Sequence, residues 1–130
     1  VYAYEGKLAE KIMIDLPLPD RLQTIVWQEV DQHLTETGFA HLPGFLSQEE
    51  CVALLNLYTK PRIFRKTINM AQYRFGQGEY KYFADPLPIL VAQLQSSIYP
   101  YLVPVANRWM QALHLPDVYP PEHSQLLAMC

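Results

Sequence analysis

Eleven prolines in 130 residues set the scale of the elements this chain can form. A proline has no backbone N–H and its ring crowds the preceding turn, so it interrupts helices and central strands. Together with five glycines, the prolines divide the sequence into short segments with their own start and stop signals. No internal repeat or low-complexity tract is visible. Half of the residues are apolar and 18% are charged, enough for a real core and against disorder. The length suits about one ordinary domain. No stretch approaches the roughly 18 consecutive apolar residues of a membrane span. The N-terminal segment has scattered charges in place of an apolar signal core. A cytoplasmic protein with no membrane partner is therefore expected.

Residues 1–20 are expected to be an extended arm ending in Leu16-Pro17-Leu18-Pro19-Asp20. A first helix is predicted over residues 21–37, with Asp20 as N-cap, Gln23 closing a capping box and Gly38 as the stop. Its apolar face is Leu22, Ile25, Val26, Val30 and Leu34. Residues 39–42 alternate as a short strand would, Phe39 and His41 to one side, Ala40 and Leu42 to the other. Ser47 and Glu50 form a second capping box, with Leu46 and Cys51 at its staple positions. Cys51, Leu54, Leu55 and Tyr58 are then the expected buried stripe. Residues 63–83 read as two strands joined by a loop containing Gly76-Gln77-Gly78. Asp85-Pro86 is predicted to open a third helix, which Pro100 and Pro104 end or kink. Helical periodicity resumes through Val105, Trp109 and Leu113, and a last helix starts at Glu122. The class is α+β, with residues 21–130 as its helical and hairpin part.

Chemistry is sparse. A site of two histidines and one carboxylate usually shows His-x-Asp/Glu in the sequence. None of His33, His41, His114 or His123 has an acid two positions later. His114-Leu115-Pro116-Asp117 is one residue too long, and its proline marks a helix-end turn. There is no P-loop, G-x-G-x-x-G, G-x-S-x-G or C-x-x-C. Cys51 falls on an apolar stripe, where a thiolate is poorly stabilised. Cys51 and Cys130 read as buried or idle thiols. No catalytic, metal or cofactor-binding residue is assigned.

The charge distribution is more informative. Residues 60–81 hold six bases and one acid, a net +5, while all other residues together carry −8. This stretch interleaves cations with aromatic rings, the combination used by single-strand nucleic-acid binders. Arg74, Tyr80, Lys81 and Tyr82 are the candidate substrate-binding residues. In a strand, both tyrosines face opposite to Lys81, and the competing reading sends the rings to the core and Lys81 to solvent.

Gly38-Phe39-Ala40-His41-Leu42-Pro43-Gly44-Phe45-Leu46-Ser47, followed by Glu50-Cys51, resembles the opening of many Fe(II)/2-oxoglutarate-dependent oxygenases. A narrower set of motifs is similar to one bacterial group in that superfamily, labelled proline-hydroxylase-like or damaged-nucleic-acid oxygenases. These are Phe75-Gly76-Gln77-Gly78-Glu79-Tyr80-Lys81-Tyr82-Phe83, Pro86-Leu87-Pro88, Tyr99-Pro100, Pro104-Val105-Ala106-Asn107-Arg108-Trp109, and Tyr119-Pro120 with Glu122-His123. The resemblance spans about residues 22–130. It implies flanking helices and first strands of a double-stranded β-helix (jelly-roll), with Fe(II) and 2-oxoglutarate bound in the complete protein. Its metal and cosubstrate residues come later in the family than the matched motifs, so none is carried onto this sequence. The chain is expected to stop before that core and to be inactive and metal-free alone. The implied reaction is hydroxylation, either oxidative demethylation of damaged nucleic acid or prolyl-type hydroxylation of a protein. The competing classes are a non-catalytic helical module docking an anionic partner through residues 60–83, and a cysteine enzyme using Cys51.

Overall fold

The computed structural model describes residues 16–130. Most of the expected N-terminal arm thus lies outside the described residues. Its end is helical, not extended: α1 is Leu18–Gln23. The single helix predicted over residues 21–37 is two, α1 and α2 (Trp27–Thr37). The break has a local cause. Thr24 sends both its N–H and its hydroxyl to the Arg21 carbonyl, the acceptor that Ile25 would use in a continuing helix. The Trp27 indole N–H then donates to the Leu22 carbonyl at 2.8 Å. Asp20 is not the N-cap. It lies in the first turn of α1, which is preceded by Pro17 and has no side-chain cap. Gly38 does end α2, at φ 81°, with its N–H on the Leu34 carbonyl.

Two compact units divide the chain, one of residues 1–45 and 93–130, the other of residues 46–92. In the first, Leu18, Leu22, Val30, Phe45, Val103 and Val105 are buried. Trp27 stacks on Tyr101 with ring centroids 4.4 Å apart, and Arg108 pairs with Asp31. Arg21 is buried and donates to the Leu16 and Phe45 carbonyls. Residues 39–42 form no strand. The predicted sidedness survives without one, since Phe39 and His41 are exposed while Ala40 and Leu42 are half-buried.

The long helix α3, Ile89–Ala112, contains both Pro100 and Pro104, where a stop or kink was expected. The two prolines stand one turn apart and are exposed, so their rings meet water. Val103, Val105 and Tyr101 hold the intervening turn by packing. Each proline removes one hydrogen bond, and the contacts on the opposite side outlast that loss. By length and mean hydropathy, 1.2 over its most apolar window, this helix also passes as a membrane span. Only 11% of that window is buried, and its contacts include an exposed Arg108–Asp31 pair and the Trp27–Tyr101 stack.

Beyond α3, His114 takes φ 56° in the expected helix-end turn. Asn107 then clasps the following segment, its Nδ2 donating to the Tyr119 carbonyl at 3.0 Å and its Oδ1 accepting from the Tyr119 N–H at 2.7 Å. The Tyr99 hydroxyl donates to the Pro120 carbonyl at 2.8 Å. These bonds lead the chain into α4, His123–Met129, whose N-cap Glu122 forms a capping box with Gln125.

In the second unit, α5 (Gln48–Leu57) starts at the predicted Ser47–Glu50 capping box, with both reciprocal hydrogen bonds present. Its predicted buried stripe is absent. Cys51 is exposed, Leu55 is 72% exposed, and no residue of the helix is fully buried. Packing is instead made at its end, where Tyr58 meets the strands. Both Cys51 and Cys130 are free and exposed, so of the two alternatives, buried or idle, burial does not hold. The helix expected at Asp85-Pro86 begins four residues after Asp85, at Ile89, beyond a cis Asp85–Pro86 bond. Pro88 explains the delay: the residue before a proline is driven out of the helical region, so Leu87 cannot belong to a helix. The first helical bond runs from the Ala92 N–H to the Pro88 carbonyl.

Candidate nucleic-acid interface

The predicted hairpin is present. β1 (Phe64–Asn69) and β2 (Glu79–Phe83) pair antiparallel, with Lys66 opposite Tyr82, Thr67 opposite Lys81 and Ile68 opposite Tyr80. The first strand stops at Asn69, well before the Gly76-Gln77-Gly78 segment expected to join the two. Asn69 caps a 3-10 turn, Met70–Tyr73, by accepting from the Ala71 N–H, and Arg74 follows in the left-handed region at φ 61°. Arg74 therefore belongs to the exposed loop between the strands, not to either strand.

Side chains directly opposite on an antiparallel pair share a face. One face carries Phe64, Lys81 and Phe83, and it packs on the end of α5. Phe64 stacks on Phe83 at 5.0 Å, and Tyr58 meets Phe64 edge-on at 6.2 Å. The Lys81 ammonium lies over the Tyr58 and Phe64 rings and 3.7 Å from the Glu79 carboxylate. The Tyr58 hydroxyl donates to Glu79 at 2.6 Å, and this bond raises the Tyr58 pKa.

The other face carries Tyr80 and Tyr82, with Ile68 and Lys66 beside them. Each ring is 45% exposed, and they meet edge to face at 5.6 Å. A hydrogen bond with Tyr82 holds the Tyr80 phenol above its ordinary pKa. The Arg65 guanidinium lies 5.6 Å from the Tyr82 ring centroid. So the competing arrangement is reversed: the tyrosines face solvent and Lys81 faces the packed side. Of the four predicted residues, Tyr80 and Tyr82 come together; Lys81 is on the opposite face and Arg74 is in the loop. Arg65 and Lys66 were missed. Their signal was the basic run itself, but a register irregularity between Phe64 and Lys66 decides where Arg65 points.

Away from the hairpin, a concavity of about 240 Å³ lies in the first unit and is lined by Glu29, His33 and His41 among mostly apolar residues. Among the described residues no group of three His, Cys, Asp or Glu side chains is placed to hold a metal ion. These residues do not fit an iron centre.

Residues 78–130 match the Oxygenase-NA family, described as an oxygenase catalysing oxidative methylation of damaged DNA. The matched stretch contains β2 with both exposed rings, α3, the Asn107 clasp and α4. It leaves out β1 with Arg65 and Lys66. No curated protein and no solved structure matches the chain.

Proposed function

We propose that the complete protein is an Fe(II)/2-oxoglutarate-dependent oxygenase acting on damaged nucleic acid. In this reading the described residues supply flanking helices and a substrate-side hairpin to a jelly-roll core. The observation that carries it is the match of residues 78–130 to an oxygenase family whose substrate is damaged DNA. The exposed tyrosine face with its two neighbouring cations supports the choice of nucleic acid over a prolyl substrate. Iron and 2-oxoglutarate belong to the complete protein. The side chains described here do not fit that centre, and no chemical step is assigned to them.

The test is turnover by the complete protein with Fe(II), 2-oxoglutarate and an alkylated oligodeoxynucleotide. Succinate release above the substrate-free level, matched by loss of the lesion, is the expected result. Equal release with undamaged oligonucleotide, or stimulation only by a prolyl peptide, overturns the assignment.

A further inference from the structure

The outer face of the β1–β2 hairpin presents two aromatic rings that its own unit leaves uncovered, beside cations and away from the only acid of the basic stretch. We infer that Tyr80 and Tyr82 form a stacking platform for unpaired bases, with Arg65 and Lys66 pairing the adjacent phosphates, so that the hairpin takes up single-stranded nucleic acid. For nucleic acid as the ligand this rests on the proposed function; it does not rest on the oxidation chemistry.

Four observations converge. Each tyrosine is 45% exposed; their edge-to-face contact takes one face of one ring and Arg65 stands over Tyr82, which still leaves ring surface open for a base. Lys66 stands directly across from Tyr82, and Arg65 lies against the same ring, so positive charge flanks the platform. Glu79 is engaged by the Tyr58 hydroxyl and Lys81 on the opposite face, so the one acid of residues 60–81 is turned away from the rings. Residues 60–81 carry +5 in a chain of net −3, so the charge complements a polyanion. A duplex offers a protein its base edges, read by bidentate donors and acceptors. The centre of this face is two phenol rings and Ile68, which suit the flat faces of unpaired bases.

Fluorescein-labelled oligothymidylate, alone and annealed to oligoadenylate, provides the test, with anisotropy read on the complete protein without iron or 2-oxoglutarate. The single strand binds more tightly than the duplex. Tyr80→Ala/Tyr82→Ala weakens single-strand binding by about tenfold per ring, and Tyr80→Phe/Tyr82→Phe keeps it, since stacking needs the ring alone. Arg65→Ala/Lys66→Ala flattens the log–log salt slope by about 0.7 per cation. If the alanine pair fails to fold by circular dichroism, the phenylalanine pair and the cation pair decide. Unchanged affinity in the folded alanine pair overturns the inference. Affinity lost equally in the phenylalanine pair, or loss of duplex and single-strand binding alike, does so too. A change in sedimentation alone identifies a contact between copies of the chain and has the same consequence. Lesion turnover with unaltered variant binding rejects the platform but keeps the proposed function. Ring-dependent binding without turnover does the reverse.

Discussion

The Lys81 ammonium sits 4.3 Å from the centroid of the Tyr58 ring, on the face of β2 opposite to Tyr80 and Tyr82. Phe64 adds a second ring at 5.3 Å, and the Tyr58 carbonyl accepts from the ammonium at 3.4 Å. A cation held over two rings cannot also reach across the strand to a ligand on the far side. Its work is to fasten β2 to the end of α5, so that the tyrosines are presented outward.

This arrangement separates Lys81 from the cations of the ring face. Lys81→Ala is expected to cost about 1 kcal/mol of stability, from the lost ring contacts and a half-exposed pair with Glu79. It should leave the salt slope of oligothymidylate binding unchanged. Arg65→Ala should do the opposite, with little change in melting and a flatter slope. Thermal melts and binding at several salt concentrations check both. A flattened slope in Lys81→Ala would return that residue to the ligand side.

The two predicted caps also part company. Ser47 accepts from the Glu50 N–H while Glu50 reaches back to the Ser47 N–H at 2.9 Å. Ser47→Ala is expected to lose about 0.5–2 kcal/mol. Asp20 is an exposed residue in the first turn of α1, with the cap position taken by Pro17. Asp20→Ala should therefore stay within about 0.5 kcal/mol. Denaturant midpoints of the two variants give the comparison directly, and equal losses would contradict it.

What the sequence reveals here depends on how far apart the deciding residues are. The Ser47–Glu50 box and the Gly38 stop are settled within four residues, and both are where the sequence puts them. The hairpin is legible from its aromatic and β-branched run, and the alternation of Tyr80, Lys81 and Tyr82 does set rings against cation. Which side packs is fixed by Tyr58, more than twenty residues before, and by Phe64 on the other strand. Arg65 was unreadable for a different reason, because the irregularity beside it breaks the period of two. The break between α1 and α2 hangs on the Trp27 indole folding back to Leu22, which no helical periodicity records. In α3, prolines that locally forbid a helix are overruled by buried neighbours.

Alkaline pH should act on the Tyr58–Glu79 bond. That hydrogen bond to a carboxylate raises the Tyr58 pKa above its ordinary 10.0, with lesser contributions from burial and the nearby charge. A raised pKa means the folded state holds the proton more tightly than the unfolded chain. The resulting stability is complete below pH 10.0 and is lost as pH climbs through the folded-state value. Wild type and Tyr58→Phe should thus differ by a constant amount at neutral pH, and the gap should close above pH 10.0. Urea melts across that range measure the gap. A difference that stayed level into the alkaline region would mean that the bond does not form in solution.

The Asn107 clasp makes the most local prediction, inside the stretch that matches the oxygenase family. One amide side chain satisfies both backbone groups of Tyr119, and the Tyr99 hydroxyl holds the next carbonyl, at Pro120. Together they anchor an otherwise irregular segment between α3 and α4. Asn107→Leu removes both exposed bonds and is expected to cost about 1–2 kcal/mol, at about 0.5–1.5 kcal/mol for a bond whose groups water can reach. Asn107→Asp keeps an acceptor for the Tyr119 N–H but turns a carboxylate oxygen towards the Tyr119 carbonyl, so it should not rescue the clasp. Tyr99→Phe loses one bond and should cost about 0.5–1.5 kcal/mol. Amide hydrogen exchange separates this local role from general destabilisation. The Tyr119 N–H should exchange much faster in both Asn107 variants, while the Ala92 N–H, bonded to Pro88 near the start of α3, should follow only the change in global stability. Equal acceleration at the two amides would show that Asn107 supports the fold as a whole and does not act as a clasp on residues 118–121.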